Sequence, residues 1–457
     1  MAERKRIYLC LAHMSDEGLE QKYIKEAFDT NWVVPLGPNV NAFEQDLERF
    51  VCSGSGLMVN GEPTKRVVAL SAGTAAVHLA LIACGVGPGD EVCVQSFTFC
   101  ASSHPITYLG ASPVFIDSEK DTWNMDPELL EEAIKDRIAK TGKKPKAIVP
   151  VALYGMPYRI DKIMEIADRY EIPVVEDAAE GFGSKYNGQV LGTFGKYGVL
   201  SFNGNKMITT SGGGALITPD EDSWREIMMY ATQYRESYPY YQHEKIGYNY
   251  RMSNICAGIG RGQMTVADAH IAHHKHVQGM YEELLKDVKG ITVHSQPDVR
   301  CKMADGREIP VYDSNYWLCT ITLDPDLKIK GQENAYKTIV QGAVGGAAGV
   351  IHAAESATTD CQPNENVEAL RVFMDKAQIE ARPVWKPMHK QPVYTRGKME
   401  EVRGKNYSVV TSESSVAYVN GVSEAIFKVG MCLPAGPYVS DEDVRYIVET
   451  IKSAIEG

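Results

Sequence analysis

The sequence predicts an α/β fold: a large, mainly parallel sheet covered by helices on both faces, followed by a smaller α/β domain. Three observations carry this reading. From Val67 to Glu176, short and almost wholly apolar runs alternate with helix-length segments, and strands apolar on both sides belong to sheets buried between helical layers. At 457 residues the chain is longer than one hydrophobic core ordinarily supports. Past residue 265 one long helical segment is followed by the same alternation on a smaller scale, which divides the chain into 1–265 and 266–457.

The elements follow in order. Residues 16–50 read as two helices broken near Pro35, Gly37 and Pro38, with Asn31 to Gly37 an extended loop. Strands are expected at Val67–Leu70, Glu91–Gln95, Pro113–Asp117, Lys146–Leu153 and Ile172–Glu176. Helices are expected at Thr74–Cys84, Ala101–Leu109 and Ile160–Tyr170. Asp126-Pro127-Glu128 is an N-cap followed by proline and an acid, and opens a helix to about Lys140. A long helix runs from about Val266 through His270 and His276 to Asp287, with His273, His274 and His276 on a solvated face. Residues 297–311 and 325–363 read as insertions, the second carrying a helix-compatible Ala/Gly run from Gln341 to Ala357.

Composition narrows the function. A 44% apolar and 23% charged chain is that of an ordinary globular protein. The net charge of −12 argues against a nucleic acid or an anionic membrane as partner. Ten scattered cysteines without a CxxC pair read as reduced thiols, and the apolar stretch after the basic N-terminus is too short for a signal-peptide core, so a cytoplasmic enzyme is expected. Histidines and cysteines lack metal-ligand spacing, and no metal is expected.

Four segments fall at strand ends, where ligands of such sheets gather. Ser71-Ala72-Gly73-Thr74 links a strand to a helix and offers amides and hydroxyls to an anion at the helix N-terminus. Phe99 could cover a planar ring or pack in the core. Glu176 and Asp177, with Glu180 close by, end a strand; unpaired buried carboxylates are costly, so they call for a cationic partner. Lys206 lies in SFNGNKMITTSGGGALIT (201–218), a tight connection between two apolar runs. Partial burial there would favour the neutral, nucleophilic amine; the competing reading is a loop lysine with its ammonium in water. Anion cradle, aromatic lid, acid and lysine are together what pyridoxal phosphate needs.

The segments LSAGTAAVHLAL, SFTFCASSHPITYLGASPVFID, EDAAEGFGSKYNG, LGTFGKYGVLSFNGNKMITTSGGGALI, GYNYRMSNICAGIGRGQM, ARPVWKPMH and CLPAG span nearly the whole chain. In this order they resemble the fold-type I pyridoxal phosphate enzymes, and among them the DegT/DnrJ/StrS-type nucleotide-sugar aminotransferases. FNGNK, YNYRMSN and RPVWKPMH are most similar to the bacillosamine-type branch, which aminates a UDP-linked 4-keto-6-deoxy-N-acetylhexosamine. The resemblance implies a seven-stranded sheet in the large domain and glutamate as amino donor. It implies Lys206 as the Schiff-base lysine and Asp177 as partner of the pyridinium nitrogen. It further implies Phe99 against the ring, Ala72, Gly73, Thr74 and Ser201 about the phosphate, and Glu180 near the phenolic oxygen. Asn249 would reach the cofactor phosphate of a neighbouring subunit, hence a homodimer with shared sites. Asn31, Trp32, Arg382, Met388 and His389 would line the nucleotide-sugar side. The sequence departs from the family at Ala72, at Leu11-Ala12 and in the two insertions.

Other readings remain at this point: amination at carbon three, a dTDP-linked sugar, or a binding module that keeps the fold without catalysis. A sugar-dehydrating branch of the same fold carries histidine where Lys206 stands. A desulfurase would need an activated cysteine, and no cysteine here is flanked by the groups that activate one.

Overall fold

The computed structural model describes residues 4–53, 56–303, 305–336, 361–394, 397–402 and 404–456. The Ala/Gly run from Gln341 to Ala357 lies outside them. The central sheet runs Arg66–Leu70, Gly214–Thr218, Tyr197–Ser201, Val175–Asp177, Ala147–Val149, Glu91–Gln95, Ser112–Ile116, with isolated parallel bridges joining the two middle strands. Of these seven strands, Gly214–Thr218 is the one that runs antiparallel to its neighbours.

Apolar residues occupy both sides of these strands because the sheet separates two cores. Val68 and Leu70 pack with the helix Gly73–Ala83. Val67 and Ala69 face the core that also takes Phe43, Leu47, Ile134 and Ile163 from the helices Pro38–Cys52, Pro127–Thr141 and Ile160–Tyr170. The helix Pro127–Thr141 starts where the N-cap signal placed it, with the Asp126 carboxylate accepting from the amides of Glu128 and Leu129.

The helices Leu19–Asp29 and Pro38–Cys52 cross the helix Asn254–Met264 at close range. A Cβ on Gly260 would lie 2.7 Å from the Phe43 ring, and one on Gly262 2.6 Å from the Glu20 amide nitrogen. Those glycines trade helix propensity for contact distance.

A second core forms around the helices Ala267–Leu285, Glu365–Lys376 and Asp441–Ala454 and the strands Ile291–Val293, Cys319–Leu323 and Gly430–Leu433. Ile7, from the start of the chain, packs in it and bridges to Ile379. The long helix corrects one sequence expectation. His276 is exposed, but His274 is buried, with Nδ1 3.1 Å from the Tyr316 carbonyl, and burial pushes its pKa down to about 3.

The central sheet does not end at Ser112–Ile116. Val416–Val419 adds to that edge in parallel and is extended by Ser408–Ser412 and Gly397–Glu401. No apolar periodicity announces this, because the three strands lie some 300 residues from the edge they cover. No helix among the described residues is long and apolar enough to cross a membrane.

Candidate active site

Side chains alternate along a strand, so Glu176 and Asp177 point to opposite faces of Val175–Asp177. The carboxylate of Glu176 is buried and accepts from the amides of Gly192 (3.0 Å), Phe194 (2.6 Å) and Gly195 (2.6 Å). It anchors a loop, and backbone amides take the place of the cation that the sequence suggested for it. Asp177 faces a cavity of about 360 Å³ at the strand ends. One oxygen accepts from Ser102 Oγ at 2.6 Å and the other from the Ala179 amide at 3.2 Å. Thr98 Oγ1 in turn holds Ser102 at 2.8 Å. Burial pushes the Asp177 carboxyl above its ordinary range, opposed by the Ser102 hydroxyl, the Ala179 amide and the charge of Lys206. A buried carboxylate in this state gains from a cation that enters the cavity.

Lys206 sits in the turn between Tyr197–Ser201 and Gly214–Thr218, its amide bonded to the Asn203 carbonyl at 3.0 Å. Its Nζ lies 3.4 Å from Glu180 Oε1 and 4.0 Å from the centroid of the Trp317 ring. The side chain is 13% exposed, which sets aside the solvated-loop reading. The other Glu180 oxygen accepts from the Tyr154 amide at 2.7 Å. Burial pushes the Glu180 carboxyl up, with Lys206 the main opposing influence. Tyr154 adopts a left-handed backbone at φ 54, which costs a non-glycine residue about 1 kcal/mol. Two bonds hold it there: the one to Glu180, and its hydroxyl accepting from the Trp385 amide at 2.7 Å.

The helix Gly73–Ala83 begins at Ala72 without a side-chain cap, so its first amides remain available to a ligand. Space around this end is tightly set. A Cβ on Gly73 would come 3.0 Å from the Ser201 Cβ, and one on Gly214 would come 2.4 Å from the Ala72 carbonyl carbon and the Gly73 nitrogen. The glycine of the neighbouring strand thus lets the strand press against the turn and leave its amides facing the cavity.

Ala72, Gly73, Thr74, Phe99, Asp177, Glu180, Ser201 and Lys206 all line this one cavity. Phe99 is no core residue; it is 51% exposed, with its ring 5.6 Å from that of Trp385. The remaining candidates lie elsewhere. Asn249 is exposed and bridges to Thr232. Asn31 is exposed at φ 57, and Trp32 gives its carbonyl to Asn254 Nδ2 at 2.9 Å. Arg382 donates to Glu380 at 2.6 and 3.0 Å. Met388 and His389 are buried, with His389 Nδ1 2.6 Å from Ser96 Oγ. The segment's contribution to the cavity is Trp385. Sequence reasoning also missed Ser102, Asn203, Asn205 and Trp317. Ser102 lies one turn beyond Phe99 and could have been read with it; nothing local marks Trp317.

The chain matches the DegT/DnrJ/EryC1/StrS aminotransferase family over residues 15–325. It is 38% identical over 98% of its length to EpsN of Bacillus subtilis (strain 168), which is named as a pyridoxal phosphate-dependent aminotransferase and is covered to 95%. It is 30% identical over 97% of its length to the GDP-perosamine synthase of Escherichia coli O157:H7, covered to 98%. The crystal structure of a DegT DnrJ EryC1 StrS aminotransferase from Brucella abortus superposes with a TM-score of 0.74 at 25% identity, covering 96% of this chain and 95% of that one. The chain therefore belongs to the DegT/DnrJ/EryC1/StrS aminotransferase family and has the fold-type I architecture of its pyridoxal phosphate enzymes. Within that class it is a pyridoxal phosphate-dependent sugar aminotransferase.

The cavity suits this cofactor: open helix amides for a phosphate, a desolvated carboxylate for a cationic ring nitrogen, and a half-buried amine. When bound, pyridoxal phosphate supplies an aldehyde that joins amines and a ring that draws electrons from them.

Proposed function

We propose that the enzyme moves an amino group from glutamate to a nucleotide-linked keto-deoxysugar, a UDP-4-keto-6-deoxy-N-acetylhexosamine. One observation carries the assignment of roles: Lys206 and Asp177 enter a single cavity beside the open N-terminus of the helix Gly73–Ala83. Lys206 is the amine that bonds the cofactor and, once free, the base that takes a proton from the donor carbon and returns it. Asp177 stabilises positive charge on the ring nitrogen. Ala72, Gly73, Thr74 and Ser201 hold the phosphate, and Phe99 covers the ring. Glu180 lies at the phenolic side, where its carboxyl can share a proton with the cofactor or with Lys206.

The UDP sugar is supported by the FNGNK, YNYRMSN and RPVWKPMH segments. A GDP-linked keto-sugar is the second reading, favoured by the full-length match to a GDP-perosamine synthase. Incubation with glutamate and a panel of UDP-, GDP- and dTDP-linked keto-sugars separates them, with product amines resolved by mass and NMR. The UDP-4-keto-6-deoxy-N-acetylhexosamine is expected to give the highest kcat/KM, and turnover confined to another nucleotide or to carbon three would overturn the preference.

The active unit in this reading is a homodimer. Asn249 is exposed and does not line its own cavity, and it follows a segment whose Tyr238, Tyr240, Tyr241 and Ile246 are exposed. Asn249 of each copy completes the phosphate site of the other. The Asn249→Ala variant should lose cofactor on dialysis. Mixed in equal amounts with Lys206→Ala under exchange conditions, it should recover about one quarter of wild-type activity, because half the dimers are mixed and each of those has one intact site of two. Absence of recovery would refute shared sites.

A further inference from the structure

We infer that Trp317 is a positioning residue for the catalytic lysine: its indole face and the Glu180 carboxylate together hold the Lys206 amine whenever that amine has no covalent partner. The inference rests on the proposed role of Lys206.

A lysine that bonds a cofactor and then acts as a base has to be released and recovered in every cycle. Four rotatable bonds let a free side chain leave a cavity open to solvent. Here Nζ is held on two sides, 4.0 Å from the Trp317 ring centroid and 3.4 Å from Glu180 Oε1. An ammonium over an indole face is attracted by the ring's quadrupole, more strongly where water is excluded, and Trp317 is 1% exposed.

The two walls of this holder are fixed to each other. The amide of Trp317 donates to Asn315 Oδ1 at 2.8 Å. The side-chain nitrogen of the same Asn315 donates to the carbonyls of Glu180 and Phe182, both at 2.9 Å. One side chain therefore ties the indole to the backbone of the carboxylate. Asn315 has room because position 155 is glycine: a Cβ there would lie 1.8 Å from Asn315 Oδ1. The indole nitrogen of Trp317 donates to the Asn205 carbonyl at 2.7 Å, so the ring also grips the backbone next to the lysine whose amine it covers. Trp317 lies just before the strand Cys319–Leu323 of the second core. The lysine is thus positioned from outside the sheet that carries it.

The test uses the cofactor-free full-length protein. Trace labelling with acetic anhydride at neutral pH, quantified by peptide mass spectrometry, gives the rate at Lys206 relative to Lys25, which is 73% exposed. Trp317→Leu removes both the shield and the attraction and should raise the relative rate about threefold to tenfold. Trp317→Phe keeps a ring face and loses the bond to Asn205; it should stay within about twofold of wild type. An unchanged rate in Trp317→Leu overturns the proposal, as does a rise in Trp317→Phe equal to that in Trp317→Leu, which would assign the effect to the Asn205 bond. Should Trp317→Leu fail to fold, Glu180→Gln removes the other wall at constant shape; faster labelling supports the holder and an unchanged rate overturns it. Pyridoxal phosphate should protect wild-type Lys206 from the reagent. Failure of that protection would remove the proposed role of Lys206 and leave the labelling comparison standing.

Discussion

Replacing Lys206 with alanine should lower kcat by more than about 10⁴-fold, since the proposed roles give both covalent attachment and proton transfer to this one amine. Two further measurements separate this from general damage. Wild-type protein reduced with borohydride in the presence of pyridoxal phosphate should carry one adduct, on the peptide containing Lys206; the variant should carry none there. The cofactor should still bind reversibly, because Ala72, Gly73, Thr74 and Ser201 are untouched. Among the described residues the side chain hydrogen-bonds Glu180 alone, so the fold should tolerate its loss. Sustained turnover by the alanine variant would remove the assignment.

Asp177→Asn should cost roughly 10²–10³-fold in kcat, the scale of losing one preorganised electrostatic partner in a dry site. Its effect on stability should run the other way. The Asp177 carboxyl is held above its ordinary range in the folded cofactor-free protein. An acid with a raised folded-state pKa makes folding less favourable as pH rises from the unfolded value through the folded one, and the full penalty persists at higher pH. The asparagine variant escapes it. Cofactor-free Asp177→Asn should therefore melt at or above the wild-type temperature at pH 8, with the difference shrinking toward acid. Near-normal turnover, or a markedly lower melting temperature at pH 8, would contradict the role given to this carboxylate.

The central layers of the fold were legible because buried parallel strands leave a local signature. Glu91–Gln95 and Ile160–Tyr170 have the bounds that the sequence predicts, and other strand ends differ by a residue or a few. The expected helix Ala101–Leu109 divides into a 3₁₀ turn, Cys100–Ser102, and a short helix, His104–Tyr108. Pro105 divides them: it has no N–H to donate to the Ala101 carbonyl, and in a continuous helix its ring would clash with that carbonyl, so it sits in the first turn of the second piece. Eight site residues met in one cavity because each sits at the end of a strand or on the turn that follows. Trp317 and Trp385 reach that cavity from the second half of the chain, where local pattern carries no information about which surface a turn will face. Glu176 misled in the opposite direction: its charge suggested a cation, but its position on the strand turns it toward three backbone amides.

The parallel pairing of Val416 with Val114 has a consequence for biosynthesis. Contacts separated by about 300 residues form late and carry a large loop-closure cost. Until Val416–Val419 has left the ribosome, Ser112–Ile116 presents a row of unpaired amides and carbonyls on that edge, and exposed edges of that kind recruit strands from other chains. The nascent polypeptide passes through a window of aggregation risk that closes only when its own late-emerging hairpin docks.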